Sequence, residues 1–158
     1  MPNTTPRKIE YIARGLAVQD SRILLCRNIE HNVAYLPGGH VDPGETAAEA
    51  LAREFQEECG LRVRVGRFLI ANEHIFTQRG KPRHEWNVVF HVEQAAGPWP
   101  EIVPSLEDDL AFEWCEIAAL PESGFLPAPL LAWILAGGPE ADTSTSDAWI
   151  TYREPQTG

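Results

Sequence analysis

Short apolar runs separated by polar turns dominate the first third of the chain. Tyr11 to Val18 and Arg22 to Arg27 read as strands on either side of a turn at Gln19-Asp20-Ser21, which predicts a hairpin. Asn28 to Asn32 is a polar loop, and Val33 to Leu36 is a short apolar segment that feeds a pair of glycines. The periodicity then changes. From Ala48 to Cys59 the apolar residues Ala48, Leu51, Ala52, Phe55 and Cys59 recur at helical spacing and form a stripe roughly 100° wide. Beyond it, Leu61 to Val65 alternates, Phe68 to Ala71 is apolar, and Trp86 to Val92 reads as a central strand. A basic turn, Thr77 to Arg83, separates these strands, and Gly97-Pro98-Trp99-Pro100 breaks the chain before Phe112 to Ile117, the expected last strand. A second helix is predicted for Ala128 to Ala136, after Pro127 and before Gly137-Gly138. Strands with two helices give an α/β class, an α/β/α sandwich around a mixed β-sheet.

The first helix carries the most informative chemistry. Thr46-Ala47-Ala48-Glu49 fits a capping box at its start, and Gly60 followed by Leu61 fits a left-handed stop. At about 100° per residue, Glu57 and Glu58 fall roughly 60° and 40° to either side of Glu54, so three carboxylates share one arc. Like charges at these spacings repel by about 0.2–0.5 kcal/mol per pair, toward the helix end where the macrodipole is already negative. Arg53 stands four residues before Glu57 and offsets part of this charge. Oxygen-only donors of this kind suit a hard divalent ion, Mg²⁺ or Mn²⁺. Just upstream, Gly38 and Gly39 permit a close backbone approach, so that a carbonyl at Gly39 can complete a metal shell.

Composition narrows the setting. The 158 residues suit one domain, divided here into a flexible 1–8, a folded 9–138 and a polar 139–158 tail that docks through Trp149 to Tyr152. A formal net charge of −10 argues against broad binding to nucleic acid or to an anionic membrane. Cys26, Cys59 and Cys115 lack metal or redox spacing and read as buried thiols of a reducing compartment. No signal-like start or long apolar run is seen, so a cytoplasmic location is expected, as a monomer or homodimer.

Gly39, five residues, Glu45, seven residues, then Arg53-Glu54-Phe55-Gln56-Glu57-Glu58-Cys59-Gly60-Leu61 resembles the signature of the Nudix hydrolases at every fixed position. The resemblance implies divalent ions on Gly39, Glu54, Glu57 and Glu58, with Arg53 orienting the acids and Glu45 and Gly60 structural. It implies a small-molecule substrate, a nucleotide or other nucleoside diphosphate derivative, hydrolysed by water attack at phosphorus. Family members often place a further acid where Asp109 or its neighbour Asp108 stands, as a general base or extra metal ligand. They often place a phosphate-binding basic residue where Arg27 stands, with Gly38 and Gly39 beside the substrate; the other reading of Arg27 is a surface ion pair. A catalytically silent nucleotide-binding module and an isoprenoid diphosphate isomerase are the alternatives on the same fold.

Other residues stay open at this level. Tyr35, Phe76 and Trp86 are candidates for stacking on a base or for the core, and His84 and Glu85 for a pocket wall. Arg79, Lys81 and Arg83 read as a solvated turn or as contacts to a distal phosphate, and His40 as a backbone-bonded residue or a metal ligand.

Overall fold

A long hairpin organises the molecule, which is described here from a computed structural model covering residues 8–138 and 149–155, without the side chains of Trp149 and Ile150. Its arms are β6 (Val63–Gln78) and β7 (Lys81–Gln94). Arg79 and Gly80, with φ of 50° and 73°, form the two-residue turn whose twist suits such a hairpin. The basic segment expected as a turn is therefore mostly strand. Register shifts between Val65 and Phe68, and between Phe68 and Ile70, mark where the two runs expected as separate strands join into one bulged strand.

Around this hairpin lies a five-stranded mixed sheet in the order β5-β1-β7-β6-β9, where β1 is Glu10–Leu16, β5 Gly38–His40 and β9 Trp149–Arg153. Strand β7 is the centre, as its apolar run predicts. Strand β1 runs parallel to it and β9 parallel to β6. A second, antiparallel sheet joins β3 (Arg22–Asn28) to β2 (Val18–Gln19), β4 (Val33–Tyr35) and β8 (Leu110–Glu116). The expected first hairpin is thus only β2 with β3. The chain leaves the mixed sheet at Ala17, which is fully buried and whose carbonyl accepts from Leu24 N at 3.1 Å. Strand β8 is not the last strand, because β9 follows it at the edge beside β6.

Helix α1 (Ala47–Cys59) and helix α2 (Ala128–Leu135) cover opposite faces of the mixed sheet. Successive strand residues point to opposite faces. Val88 accordingly packs with Leu51, Phe55 and Cys59 of α1, while Val89 packs with Leu130 and Ile134 of α2. Cys26 and Cys59 are buried and Cys115 half-buried, all as free thiols, and burial pushes the first two up to about 12 and about 11. No helix among the described residues is long and apolar enough to cross a membrane. The segments 1–7 and 139–148, which hold most of the expected loose start and polar tail, lie outside the described residues.

Candidate active site

Helix α1 starts and stops where its local sequence directs. Thr46 is the N-cap, with Glu49 N donating to its Oγ1 at 3.2 Å and Thr46 N donating to Glu49 Oε2 at 2.8 Å. Gly60 takes φ 68° and donates to Gln56 O at 3.1 Å, while Leu61 N donates to Phe55 O at 3.4 Å, closing the C-terminal turn. The glycines expected as a turn form strand β5 instead, with Gly38 opposite Arg14 and Gly39 opposite Ala13 of β1. Both need to be glycine. Gly38 adopts φ 145°, and a Cβ there would strike the Ala13 carbonyl; a Cβ at Gly39 would overlap the Glu54 carboxylate.

Arg53 holds this junction together. Its Nε donates to Glu45 Oε1 at 2.7 Å and its Nη2 to Glu45 Oε2 at 3.0 Å. Nη2 also reaches His40 O at 3.1 Å, and Nη1 reaches Glu54 Oε1 at 3.2 Å and Glu57 Oε2 at 3.1 Å. One guanidinium therefore ties the loop before α1, strand β5 and two carboxylates of the acidic arc. Hydrogen bonds from Arg53 and from the Asp42 amide hold Glu45 well below the usual carboxylate range, at about 2. The bonds to Glu45, with the charge of Glu54, push the Arg53 guanidinium upward.

The three acids differ in setting. Glu57 is exposed and Glu54 mostly buried, at 55% and 15% of side-chain surface. Glu58 is half-buried, and burial first, then the charge of Glu54, push its carboxyl up to about 8. Among the described residues no three His, Cys, Asp or Glu side chains gather as a metal cage; Glu54 and Glu57 both contact Arg53. The donor set nevertheless fits a hard divalent ion: oxygen atoms only, in excess negative charge, beside a strand with no side chain in the way.

The other expected residues separate into groups. Arg27 pairs with Glu113 of β8, its Nε at 2.9 Å, and donates to Asn32 Oδ1 at 3.2 Å, the surface ion pair that was the second reading of this residue. Asp108 and Asp109 are exposed and make no side-chain hydrogen bond or ion pair with a described residue; Asp109 O accepts from Ile29 N at 2.9 Å. Within the same loop, Leu106 N donates to Glu58 O at 2.7 Å, and the charge of Glu107 adds to the upward push on Glu58. His40 presents its carbonyl to Arg53 and its ring to Glu10, with Nε2 at 3.1 Å from Oε1.

A cavity of about 290 Å³ is lined among others by Arg14, Tyr35, His74, Phe76, Glu85 and Asn87, with Leu130 of α2 on its wall. Tyr35, Phe76 and Glu85 thus reach a pocket, whereas Trp86 stacks on Tyr11 with centroids 5.1 Å apart, and His84 Nε2 lies 2.9 Å from Glu73 Oε1. Arg83 lines the same cavity and donates to Glu10 Oε1 at 2.7 Å, while Arg79 at the hairpin tip meets the His31 ring. Sequence reasoning missed Arg14, whose available signal was a lone cation among Tyr11, Ile12, Ala13 and Leu16.

The chain is similar to known proteins over most of its length. The NUDIX domain model matches residues 11–134. The chain is 29% identical over 126 residues to the NAD-capped RNA hydrolase NudC of Stutzerimonas stutzeri, covering 76% of this chain and 39% of that protein. It is 33% identical over 86 residues to the CTP pyrophosphohydrolase of Escherichia coli, covering 52% of this chain and 63% of the other. The chain therefore spans less than two thirds of the length of the curated relatives it matches. Among solved structures, the E. coli ORF135 protein superimposes with a TM-score of 0.64 at 25% identity, over 82% of this chain and 90% of that one. Because the matched residues run from β1 through α2 and contain the whole Gly39 to Leu61 junction, the chain belongs to the Nudix family.

Proposed function

We propose that the protein is a divalent-metal-dependent hydrolase that cleaves the pyrophosphate linkage of a nucleoside diphosphate derivative. The observation that carries this reading is the Arg53 clamp, which holds Glu54 against Gly39 and ties Glu57 to the same guanidinium. Glu54, Glu57, Glu58 and the Gly39 carbonyl would hold Mg²⁺ or Mn²⁺. When bound, such an ion supplies Lewis acidity, drawing charge from the phosphate oxygens and making water a better nucleophile.

The chain's own groups do the positioning. Arg53 keeps the Glu54 and Glu57 carboxylates on one guanidinium, and the missing side chains at Gly38 and Gly39 let β5 lie close against β1 and the Glu54 carboxylate. No nucleophilic Ser or Cys is required, since phosphoryl transfer to water depends on alignment and electrostatics. The general base is assigned to the acidic loop before β8, with Asp109, Asp108 and Glu107 as its members. The cavity lined by Arg14 and Asn87 would take the nucleoside, with Tyr35 and Phe76 offering ring faces.

The names of the relatives, hydrolases of NAD-capped RNA and of CTP, support a nucleotide as the substrate class. The test is a panel of nucleoside triphosphates, nucleotide sugars and dinucleotides incubated with Mg²⁺ or Mn²⁺, with products identified by mass. Release of a nucleoside monophosphate that disappears in Glu57→Gln is the expected result. No turnover of any panel member with either metal would overturn the reading.

A further inference from the structure

Arg14 and Arg53 use their guanidinium groups in opposite ways. Arg53 engages protein acceptors with all three nitrogens. Arg14 donates from Nε to Asn87 Oδ1 at 3.2 Å and from Nη1 to Leu36 O at 3.2 Å, and its Nη2 has no hydrogen-bond partner among the described residues. Its Cζ lies 4.9 Å from the centroid of the Tyr35 ring. An arginine fixed at one edge and unpaired at the other, on a cavity wall, has donors left for a ligand.

The fixation is itself supported. Asn87 is 4% exposed and passes a hydrogen bond from Nδ2 to Glu85 Oε2 at 3.3 Å. Arginine only donates and a carboxylate only accepts, so the amide of Asn87 has one orientation that serves both neighbours. That orientation sets the guanidinium plane. Strand pairing ties this wall to the acidic face: Arg14 lies opposite Gly38 of β5, the neighbour of Gly39, against which the Glu54 carboxylate of α1 is packed.

We propose that Arg14 binds the nucleoside-linked phosphate of the pyrophosphate that is cleaved at the acidic face, and that Asn87 is the positioning residue that orients it. This rests on reading the cleft as a nucleotide site. A planar fork held in advance loses little freedom on meeting a phosphate and can offer two parallel donors. Lysine has a single rotating point charge and cannot keep the bonds to Asn87 and Leu36 while meeting the ligand.

The test separates the phosphate from the metal. Calorimetric titration without metal compares each nucleoside 5′-monophosphate with its parent nucleoside. The wild type is expected to prefer at least one monophosphate by about tenfold or more. Arg14→Gln should erase that preference without changing nucleoside affinity, and Arg14→Lys should lose most of it. Asn87→Leu should reduce it as well, and the double variant should fall no further than Arg14→Gln, because Asn87 acts through Arg14. In turnover assays the same variants should raise KM more than they lower kcat. A wild type without phosphate preference, or an Arg14→Gln protein that retains it, overturns the proposal; should Arg14→Gln not fold, Arg14→Lys decides in the same way. If nucleotide derivatives are hydrolysed but the Arg14 variants keep wild-type KM, this assignment falls while the hydrolase reading stands. If nothing is hydrolysed, the hydrolase reading falls and the metal-free preference still decides the role of Arg14.

Discussion

The carboxylate of Glu54 fills the space that a side chain at Gly39 would need. Helix α1 and strand β5 are therefore packed to a distance set by the absence of one methyl group. Gly39→Ala should cost about 1–3 kcal/mol of stability, the usual range for forcing atoms into a filled site. Turnover should fall further than stability does, because Glu54 is the group that must move. Thermal melting and steady-state kinetics on the same sample check this; a variant with wild-type rates would show that Glu54 need not stay where it lies.

Glu57 offers the opposite separation. It is exposed, and its bond to Arg53 is of the i,i+4 surface type, so Glu57→Gln should change stability by less than about 1 kcal/mol. Turnover should nevertheless drop by about 100-fold or more, the scale seen when one fixed electrostatic group is removed from a reacting centre. Removing divalent ions with a chelator should abolish turnover of the wild type, and added Mg²⁺ or Mn²⁺ should restore it. Equal rates for wild type and variant under saturating metal would remove Glu57 from the site.

The Glu45–Arg53 pair predicts how the fold responds to acid. Because Glu45 titrates lower in the folded chain than in the unfolded one, the stability it contributes is complete above the ordinary glutamate value, about 4.3. It is lost as the pH falls through that value toward about 2. Urea midpoints measured across this window should fall more steeply for the wild type than for Glu45→Gln. Parallel curves would mean that the pair is not maintained in solution.

His74 predicts a second pH effect at a milder range. It is 7% exposed, its ring stacks on Phe76 at 4.4 Å, and its Nε2 lies 3.5 Å from Glu154 Oε1. Burial lowers its pKa, and the nearby charges of Glu85 and Glu154 oppose that shift. The unfolded chain then takes up the proton first, so stability should decline as the pH falls below about 6.5. His74→Gln should flatten the profile there; an unchanged slope between pH 7 and pH 5 would rule this out.

The N-cap gives a test confined to local structure. Thr46→Ala removes an acceptor from the first turn of α1 and should cost about 1 kcal/mol. Since the Thr46 hydroxyl also donates to Glu49 Oε2 at 2.9 Å, Glu49→Ala on top of it should cost less than it does alone. Additive losses measured by denaturant unfolding would show two independent bonds.

Helix α1 was legible from sequence because every signal that defines it lies within a few residues. Thr46 caps Glu49, Gly60 stops the helix, and Leu51, Phe55 and Cys59 form one buried stripe, all of which follows from helical geometry. The strands were legible as apolar runs, but their partners were not. The Gly38-Gly39 pair reads locally as a turn, and only pairing with Ala13 and Arg14 makes it a strand. Strand β9 was seen only as the docking residues Trp149, Ile150 and Tyr152, since its partners in β6 lie seventy-eight residues earlier.

The sequence by itself determined the acidic helix and its glycine approach, because helix caps and side-chain arcs depend on neighbours one turn away. It also determined the alternating apolar faces that put α1 and α2 on opposite sides of the sheet. Only the tertiary structure decided that there are two sheets, that Arg27 pairs with Glu113 across β8, and that Arg14 meets Asn87 seventy-three residues away at the wall of a cavity. Those contacts depend on which strand edges find each other. Strand pairing is a long-range choice, and no local run of residues encodes it.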